Sequence, residues 1–417
     1  MSAERLFWQG LLYIAIVGTA SSTIYLIMVL VGAFRFHREA KSARKRVLSL
    51  QSALPPVTIF KPVHGMELRL EENLDSFFQQ DYPNFEIVIG ARDAENAALR
   101  VAQTVAKKYP HVPSRIIISG PPTWPNAKVF SLSKMIPTSS NDFFVISDSD
   151  VKVGRDFLRN IVPPLLDPAI GLVTCLYKGV PAGDFWSLLE ALGMSVEMPS
   201  GVVVADMIEG IRFALGPAVA IRREGLDKIG GIAATADYYS DDYVLGNKMW
   251  LAGYKVIFSH YFIEHVLTPR SLIRTLGDQL RWMKSTRYSR PLGHVGTGLT
   301  YAMPFGILGI IAALVLGRPF LGAVLICLAL GNRFIQSIVV GWRLIGDSRS
   351  LYFSWLYPLR DLQGWLMWAC SFTGRNFLWR GEKYRFTKNG RIVASDRNDR
   401  NDRNDGNDRE VANHESA

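Results

Sequence analysis

Between Phe143 and Val153 the chain reads FFVISDSDVKV. An apolar, partly β-branched run ends in two aspartates one residue apart, Asp148 and Asp150. A short continuous apolar run bounded by polar residues has the pattern of a strand buried on both faces. Its end therefore lies at the mouth of a sheet. Taken alone, the acidic pair has an ordinary explanation, because Asp favours turns and helix N-caps. The alternative is a cation site, since alternating residues leaving a strand can aim two carboxylates at one hard ion.

Working outward, runs of the same kind recur as VTIFKPV (Val57–Val63), FEIVIGAR (Phe85–Arg92), SRIIISG (Ser114–Gly120), DFFVIS (Asp142–Ser147) and IGLVTCLY (Ile170–Tyr177). Helix-like stretches such as LRLEENLDSFFQQ and NAALRVAQTVAKKY separate them. Strands alternating with helices predict βαβ units around a buried parallel sheet. Ligands of such sheets collect at the carboxyl ends of the strands, which is where Asp148 and Asp150 stand.

The ends of the chain have another character. Leu11–Phe34 carries no charge and is long enough to span a bilayer. Arg35, Arg38, Lys41, Arg44, Lys45 and Arg46 follow it, so the positive-inside rule puts the start outside and the next segment in the cytosol. The run is too long for a cleaved signal peptide, and its basic residues come after it. Leu299–Gly317 and Phe320–Val340 are again about a bilayer long, and Arg333 within the second is costly unless it faces protein or a headgroup. Leu351–Thr373 contains Pro358, Arg360 and Asp361, which favours a re-entrant or interfacial segment over a further crossing. The expected division is an anchor over 1–50, a cytosolic α/β domain over 51–296, transmembrane and interfacial helices over 297–392, and a disordered polar tail over 393–417 built on DRNDRNDRNDGNDRE (Asp396–Glu410).

Across 417 residues the formal charge is +10, which suits anionic phosphates or lipid headgroups. No basic stripe interleaved with stacking aromatics marks the central region for nucleic acid. Three widely spaced cysteines give neither a disulfide framework nor a thiolate metal site.

Further acidic groups lie at element ends: Asp93 directly after FEIVIGAR, and Asp241–Asp242 in ADYYSDDYVLG (Ala236–Gly246). Each alone reads as a turn or cap, but on the ligand edge of one sheet they would converge in a cleft. Mg²⁺ or Mn²⁺ prefers oxygen ligands and commonly shares its site with substrate phosphates. No GxxxxGK[ST] is present, so a P-loop nucleotidase is not indicated. GDQLRWMKSTRYSR (Gly277–Arg290) reads as a cationic amphipathic helix, either lying on anionic lipid or offering Arg281 to a diphosphate with Trp282 beside it.

Asp93, DSD at 148–150, DD at 241–242 and LRW at 280–282 together resemble the D, D, D, (Q/R)xxRW pattern of inverting family 2-type glycosyltransferases. FKPVHG (Phe60–Gly65), NLDSFFQQDYPNFEIVIGARD (Asn73–Asp93), NAKV (Asn126–Val129), FALGPAVAIRREGLDKIGG (Phe213–Gly231) and SDDYVLG bring the likeness closer, to the ceramide glucosyltransferase family. Its bacterial branch includes the hopanoid-biosynthesis glycosyltransferases. The resemblance implies a GT-A (Rossmann-like) α/β domain with membrane helices at both ends, held in a bacterial inner membrane with the catalytic domain in the cytosol. It implies that Asp93 binds the uracil end of a UDP-sugar, that Asp148 and Asp150 serve ribose, sugar and metal with Asp150 the metal ligand, and that Lys61 and Lys128 belong to the donor site. It further implies Asp242 as general base with Asp241 beside it, Arg281 and Trp282 closing the donor site, a divalent cation as cofactor, and a lipid acceptor such as ceramide or a hopanoid.

Two departures stand out. Asp278 occupies the position three before Arg281 where the pattern has Gln or Arg, with Gln279 one place later, and Val196–Asp206 lacks the His-Pro of the eukaryotic ceramide enzymes. The implied reaction is one displacement that turns an α-linked UDP-sugar, with glucose the expected sugar, into a β-glycolipid. Competing readings are N-acetylglucosamine transfer to a hopanoid polyol, a processive polysaccharide synthase, for which the spans are too few, and a catalytically dead membrane scaffold.

Overall fold

A computed structural model describes residues 2–50, 54–269, 271–379, 381–387 and 390–395. All five expected runs are strands. In chain order the main sheet has β1 (Val57–Pro62), β2 (Phe85–Ala91), β3 (Ser114–Ile118), β4 (Phe143–Ser147), β5 (Val151–Lys152), β6 (Ile170–Val180), β7 (Ala218–Arg222) and β8 (Lys255–Val266). Their spatial order is β3-β2-β1-β4-β7-β6-β8-β5. The first half is parallel, with Val57 opposite both Phe85 and Phe143. The wholly parallel sheet expected from the sequence ends there: β7 runs antiparallel to β4 and β6, and β5 antiparallel to β8. The chain reaches β7 after a long helical excursion, so no right-handed βαβ crossover dictates its direction. Its apolar run AVAI has the same composition as a parallel strand.

Alternate strand residues feed two cores. Ile59, Ile87 and Val145 face the helices Leu70–Phe78 and Ala97–Lys108, while Phe60, Val88 and Phe144 face Ala127–Met135 and Asp241–Leu251. Both strand faces are thus dry, which accounts for their uninterrupted apolar runs. Burying each such side chain contributes roughly 1.5–3 kcal/mol. The carboxyl ends of β1, β2 and β4 share one edge, and the loops carrying the acidic residues open there.

The N-terminal helix runs from Ala3 to Ser49, so the basic stretch continues the apolar one without a break. Helices Met303–Val315 and Pro319–Gln336 pack on it through Leu12, Ala312, Ala313 and Leu325. A small residue is required where the helices meet, because a Cβ on Gly18 would strike the Phe305 ring. Among the described residues, three helical stretches are long and apolar enough to cross a membrane: Ala3–Ser49, Pro319–Leu344 and Phe185–Glu209. The third was not anticipated, because Glu190, Glu197 and Asp206 interrupt its apolar pattern. It contains a π-helical turn at Gly193–Glu197 and is mostly enclosed by protein. Conversely, Leu299–Gly317 yields a helix of only 13 residues, Met303–Val315. Its start is set by the Asp361 carboxylate, which accepts from the amides of Ala302 and Met303 at 3.0 and 2.8 Å.

Leu351–Thr373 becomes a short helix, a tight turn and the helix Tyr357–Ser371. At 15 residues that helix is about 22 Å long, less than a ~30 Å hydrocarbon core. Arg333 does face protein: it pairs with Asp361 at 2.8 Å, both side chains almost fully enclosed.

Within 297–392, expected to be helical, the chain past Thr373 instead folds into an antiparallel sheet of β9 (Asn376–Trp379), β10 (Glu382–Phe386) and β11 (Ile392–Ala394). Phe377, Tyr384 and Phe386 alternate inward and pack on Tyr239 and Tyr288. Interleaved basic residues hide that alternation in the sequence. The tail Asp396–Glu410 lies outside the described residues.

Candidate active site

The turn after β4 is fixed from below. The Lys61 side chain is fully enclosed, with its ammonium 3.8 Å from the centre of the Phe77 ring. It donates to Ser147 Oγ at 3.3 Å and to the Asp148 carbonyl. Burial pulls its pKa down to about 7 against the opposing pull of Asp148 and Asp150. Lys61, expected in the donor site, therefore sits beneath the turn and acts on its shape. The Asp148 amide donates to the Pro217 carbonyl at 3.0 Å, which ties the turn to the start of β7.

Above the turn, Lys128 Nζ lies 2.5 Å from Asp148 Oδ1 and 3.9 Å from Asp241 Oδ2. Burial alone would lower the Lys128 pKa, but the charges of Asp148 and Asp241 more than offset it and hold the ammonium protonated. Lys128 is aimed by Asn126, whose Oδ1 caps the helix through the amides of Lys128 and Val129. The Asn126 amide group meanwhile donates to the Tyr238 carbonyl and, at 3.1 Å, to Asp241 Oδ1.

Asp242 lies in the first turn of its helix, where the helix dipole favours a carboxylate. Its Oδ1 accepts from the Tyr243 amide at 2.8 Å and its Oδ2 from the Gly216 amide at 2.7 Å. A Cβ on Gly216 would stand 3.0 Å from Oδ2, so glycine allows this approach. Burial first, then the neighbouring Asp241, push the Asp242 carboxyl up to about 6. Such a group is held in place, ionised at neutral pH and basic enough to take a proton. Lys128, Gly216, Asp241 and Asp242 line one small cavity floored by Ile146 and Val219.

Asp150 is pinned by its carbonyl, which accepts from the Val266 amide at 2.8 Å, and by the β5–β8 pairing that sets Val151 opposite His265. Its Oδ2 lies 3.4 Å from His265 Nε2, while the enclosed Oδ1 has no hydrogen-bond partner among the described residues. An unpartnered carboxylate oxygen at this mouth fits a divalent cation. Among the described residues no group of three or more His, Cys, Asp and Glu could hold a metal by itself. That is compatible with Mg²⁺ or Mn²⁺, which take one or two carboxylates and complete their shell with phosphates and water.

Arg281 is held by three bonds: Nε to the Tyr239 hydroxyl at 2.7 Å, and Nη1 to Asp278 Oδ1 at 2.8 Å and the Leu378 carbonyl at 3.3 Å. The departure at Asp278 is thus an ion pair within the helix Leu272–Ser289. Trp282 packs with Ala191, Met194, Leu267 and Tyr177. The Tyr177 ring, which packs on the same cluster, lies 5.6 Å from that of His265. Lys284 and Arg287 donate to the carbonyls of Asn376 and Ser371, which makes this face of the helix a protein contact. Asp93 stands exposed in the loop after β2, on the same sheet edge as the others.

Lys128, Asp148, Asp241 and Asp242 are therefore brought together, with Asp150 close by on the same turn. His265, Asn126, Gly216 and Tyr239 escaped individual notice in the sequence. Their signals are a His near the end of a strand, an Asn at a helix start, and residues adjoining the acidic motifs.

A mixed α/β sheet whose carboxyl-edge loops bring Lys128, Asp148, Asp241 and Asp242 together, in a chain with apolar helices before and after it, is the architecture of a GT-A-type glycosyltransferase. The chain belongs to glycosyl transferase family 21, whose family model matches residues 12–392. Ceramide glucosyltransferase 1 of Caenorhabditis elegans is 21% identical over 390 residues, covering 90% of this chain and 80% of that protein. The ceramide glucosyltransferase of Komagataella phaffii is 33% identical over 160 residues, 37% of this chain and 31% of that one. Among solved structures, the mannosyltransferase PcManGT from Pyrobaculum calidifontis, in complex with GDP-Man and Mn²⁺, aligns at 19% identity and a TM-score of 0.48 over 86% of this chain and 99% of that one.

Proposed function

We propose that this glycosyltransferase moves a hexose, glucose in the principal reading, from a UDP-sugar to the hydroxyl of a membrane lipid of the ceramide type, with inversion. The observation that carries the reading is Asp242: each oxygen is fixed by one backbone amide, and burial raises its basicity. Asp242 takes the proton from the acceptor hydroxyl while that oxygen attacks the anomeric carbon. The bond from that carbon to the diphosphate breaks as the new one forms, and UDP leaves on the opposite face. One base suffices, whereas hydrolysis would need two carboxylates flanking the bond.

Asp150, with Asp148 on the same turn, would hold the divalent cation, which when bound stabilises the charge of the departing diphosphate. His265 orients the Asp150 carboxylate. Lys128 supplies positive charge beside Asp148, and Arg281 does so from the membrane side; both act where negative charge develops. Asp93 takes the uracil end of the donor, and Trp282 backs the acceptor side. A lipid acceptor explains why the α/β domain is bound to apolar helices at both ends, with the domain on the cytosolic side of a bacterial inner membrane.

Asp242→Asn keeps the shape of the carboxyl and removes its basicity. Transfer should fall by about 10²–10⁴-fold while UDP-sugar affinity, read by calorimetric titration, stays close to that of the unaltered chain. Transfer at the original rate in this variant would refute the assignment of the base.

A further inference from the structure

The helix that carries Arg281 and Trp282 has a second buried anchor. Gln279 is almost fully enclosed, and its Oε1 accepts from Arg360 Nη1 at 2.8 Å. The other arm of the same guanidinium, Nη2, lies 2.8 Å from Glu197 Oε2. Glu197 closes the π-turn Gly193–Glu197, and its Oε1 receives the Tyr301 hydroxyl at 3.4 Å. One planar fork thus joins three elements: the Arg–Trp helix, the π-turn and the helix Tyr357–Ser371. The fit is close, since a Cβ on Gly193 would collide with Arg360 Nε. Met194 of the same turn packs in one cluster with Trp282.

Fastening the helices together does not require this fork. Arg287 already ties the Arg–Trp helix to Tyr357–Ser371 through the Ser371 carbonyl. A buried ion pair is often no more stabilising than apolar residues of the same volume. What a guanidinium adds is direction, because its two arms diverge at a fixed angle in one plane. We infer that Arg360 is a positioning residue, which sets the register and rotation of the Arg–Trp helix against the membrane-side helices so that Arg281 meets the donor diphosphate. This rests on the donor-site role proposed for Arg281 above.

The full-length chain in lipid vesicles is assayed with donor and acceptor varied separately, for Arg360→Lys, Gln279→Leu, Gln279→Glu and, in parallel, Arg281→Ala. A lysine ammonium cannot span both partners, and leucine removes the acceptor on the Arg–Trp helix, whereas glutamate keeps it. Arg360→Lys and Gln279→Leu should lower kcat/KM for the UDP-sugar by roughly 10- to 100-fold, with the acceptor KM unchanged and Gln279→Glu close to the unaltered chain. If Arg360→Lys does not fold, the Gln279 pair decides alone. Impairment by Arg281→Ala with unaltered kinetics in Gln279→Leu overturns the inference, as does an equal loss for donor and acceptor. An unimpaired Arg281→Ala overturns instead the donor-site reading beneath it.

Discussion

Asp242 and Asp241 differ in what they touch, and that difference is the ground for proposing Asp242 as the base. Asp241 is tied to Asn126 and faces Lys128, while Asp242 is held only by backbone amides. Below about 6 the Asp242 carboxyl carries a proton and cannot accept one, so the transfer rate should fall on the acidic side with a midpoint near 6. Asp241 contributes to that raised value, so Asp241→Asn should move the midpoint to lower pH, read from the pH dependence of kcat/KM. A midpoint that stays put would separate Asp241 from the base. At this scale the sequence was informative wherever chemistry and position coincide: Asp148, Asp241 and Asp242 converge as their places at element ends predict, and Lys128, implied by the family resemblance alone, meets them there. His265 was not legible, because its contact with Asp150 depends on the pairing of β5 with β8 across a long separation. Lys61 enters through the family resemblance as a donor-site residue, and nothing local to it in the sequence shows that Phe77 and the Asp148 carbonyl enclose its ammonium.

Among the elements, the β9–β11 sheet bears on the site most directly. Through Phe377, Trp379 and Phe386 it surrounds Tyr239, whose hydroxyl receives Arg281, and the Ile392 amide donates to the Asp237 carbonyl at 2.7 Å. The loop leading to Asp242 is thereby clasped from the C-terminal side. Phe386→Ala empties the centre of this small sheet and should cost about 3–5 kcal/mol locally. Limited proteolysis should then cut within 376–394 while the main sheet stays resistant, and transfer should fall with it. Five strands of the main sheet, β1 to β4 and β6, were readable because both faces are dry, leaving continuous apolar runs. The direction of β7 was not, since two neighbours and a long detour decide it. The small sheet was hidden because its outward positions carry the basic residues that also mark a cytosolic flank.

Across the whole molecule, the Arg333–Asp361 and Arg360–Glu197 pairs hold the membrane-side helices, and each resolves a charge that the sequence alone made awkward. Arg333 and Asp361 lie far apart in sequence, and only the packed bundle shows that they meet. Arg333→Ala leaves Asp361 buried without its partner and should destabilise by about 3–5 kcal/mol, whereas Arg333→Met with Asp361→Leu should cost less. Thermal unfolding in detergent compares the two. Removing everything after Gly296 takes away the helices, the Arg360 fork and the β9–β11 clasp together, and should end lipid glycosylation. The proposed reaction, sugar transfer to a lipid through Asp242 with a divalent cation, is open to one direct measurement. The purified full-length chain, placed in ceramide-containing vesicles and given UDP-glucose or UDP-N-acetylglucosamine separately, tests it by mass spectrometry of the extracted lipid. A β-glycolipid bearing one hexose should form from UDP-glucose, with one UDP released per glycolipid and loss of both on chelation or in Asp242→Asn. A polymeric product, or UDP release with no glycosylated lipid, would contradict it.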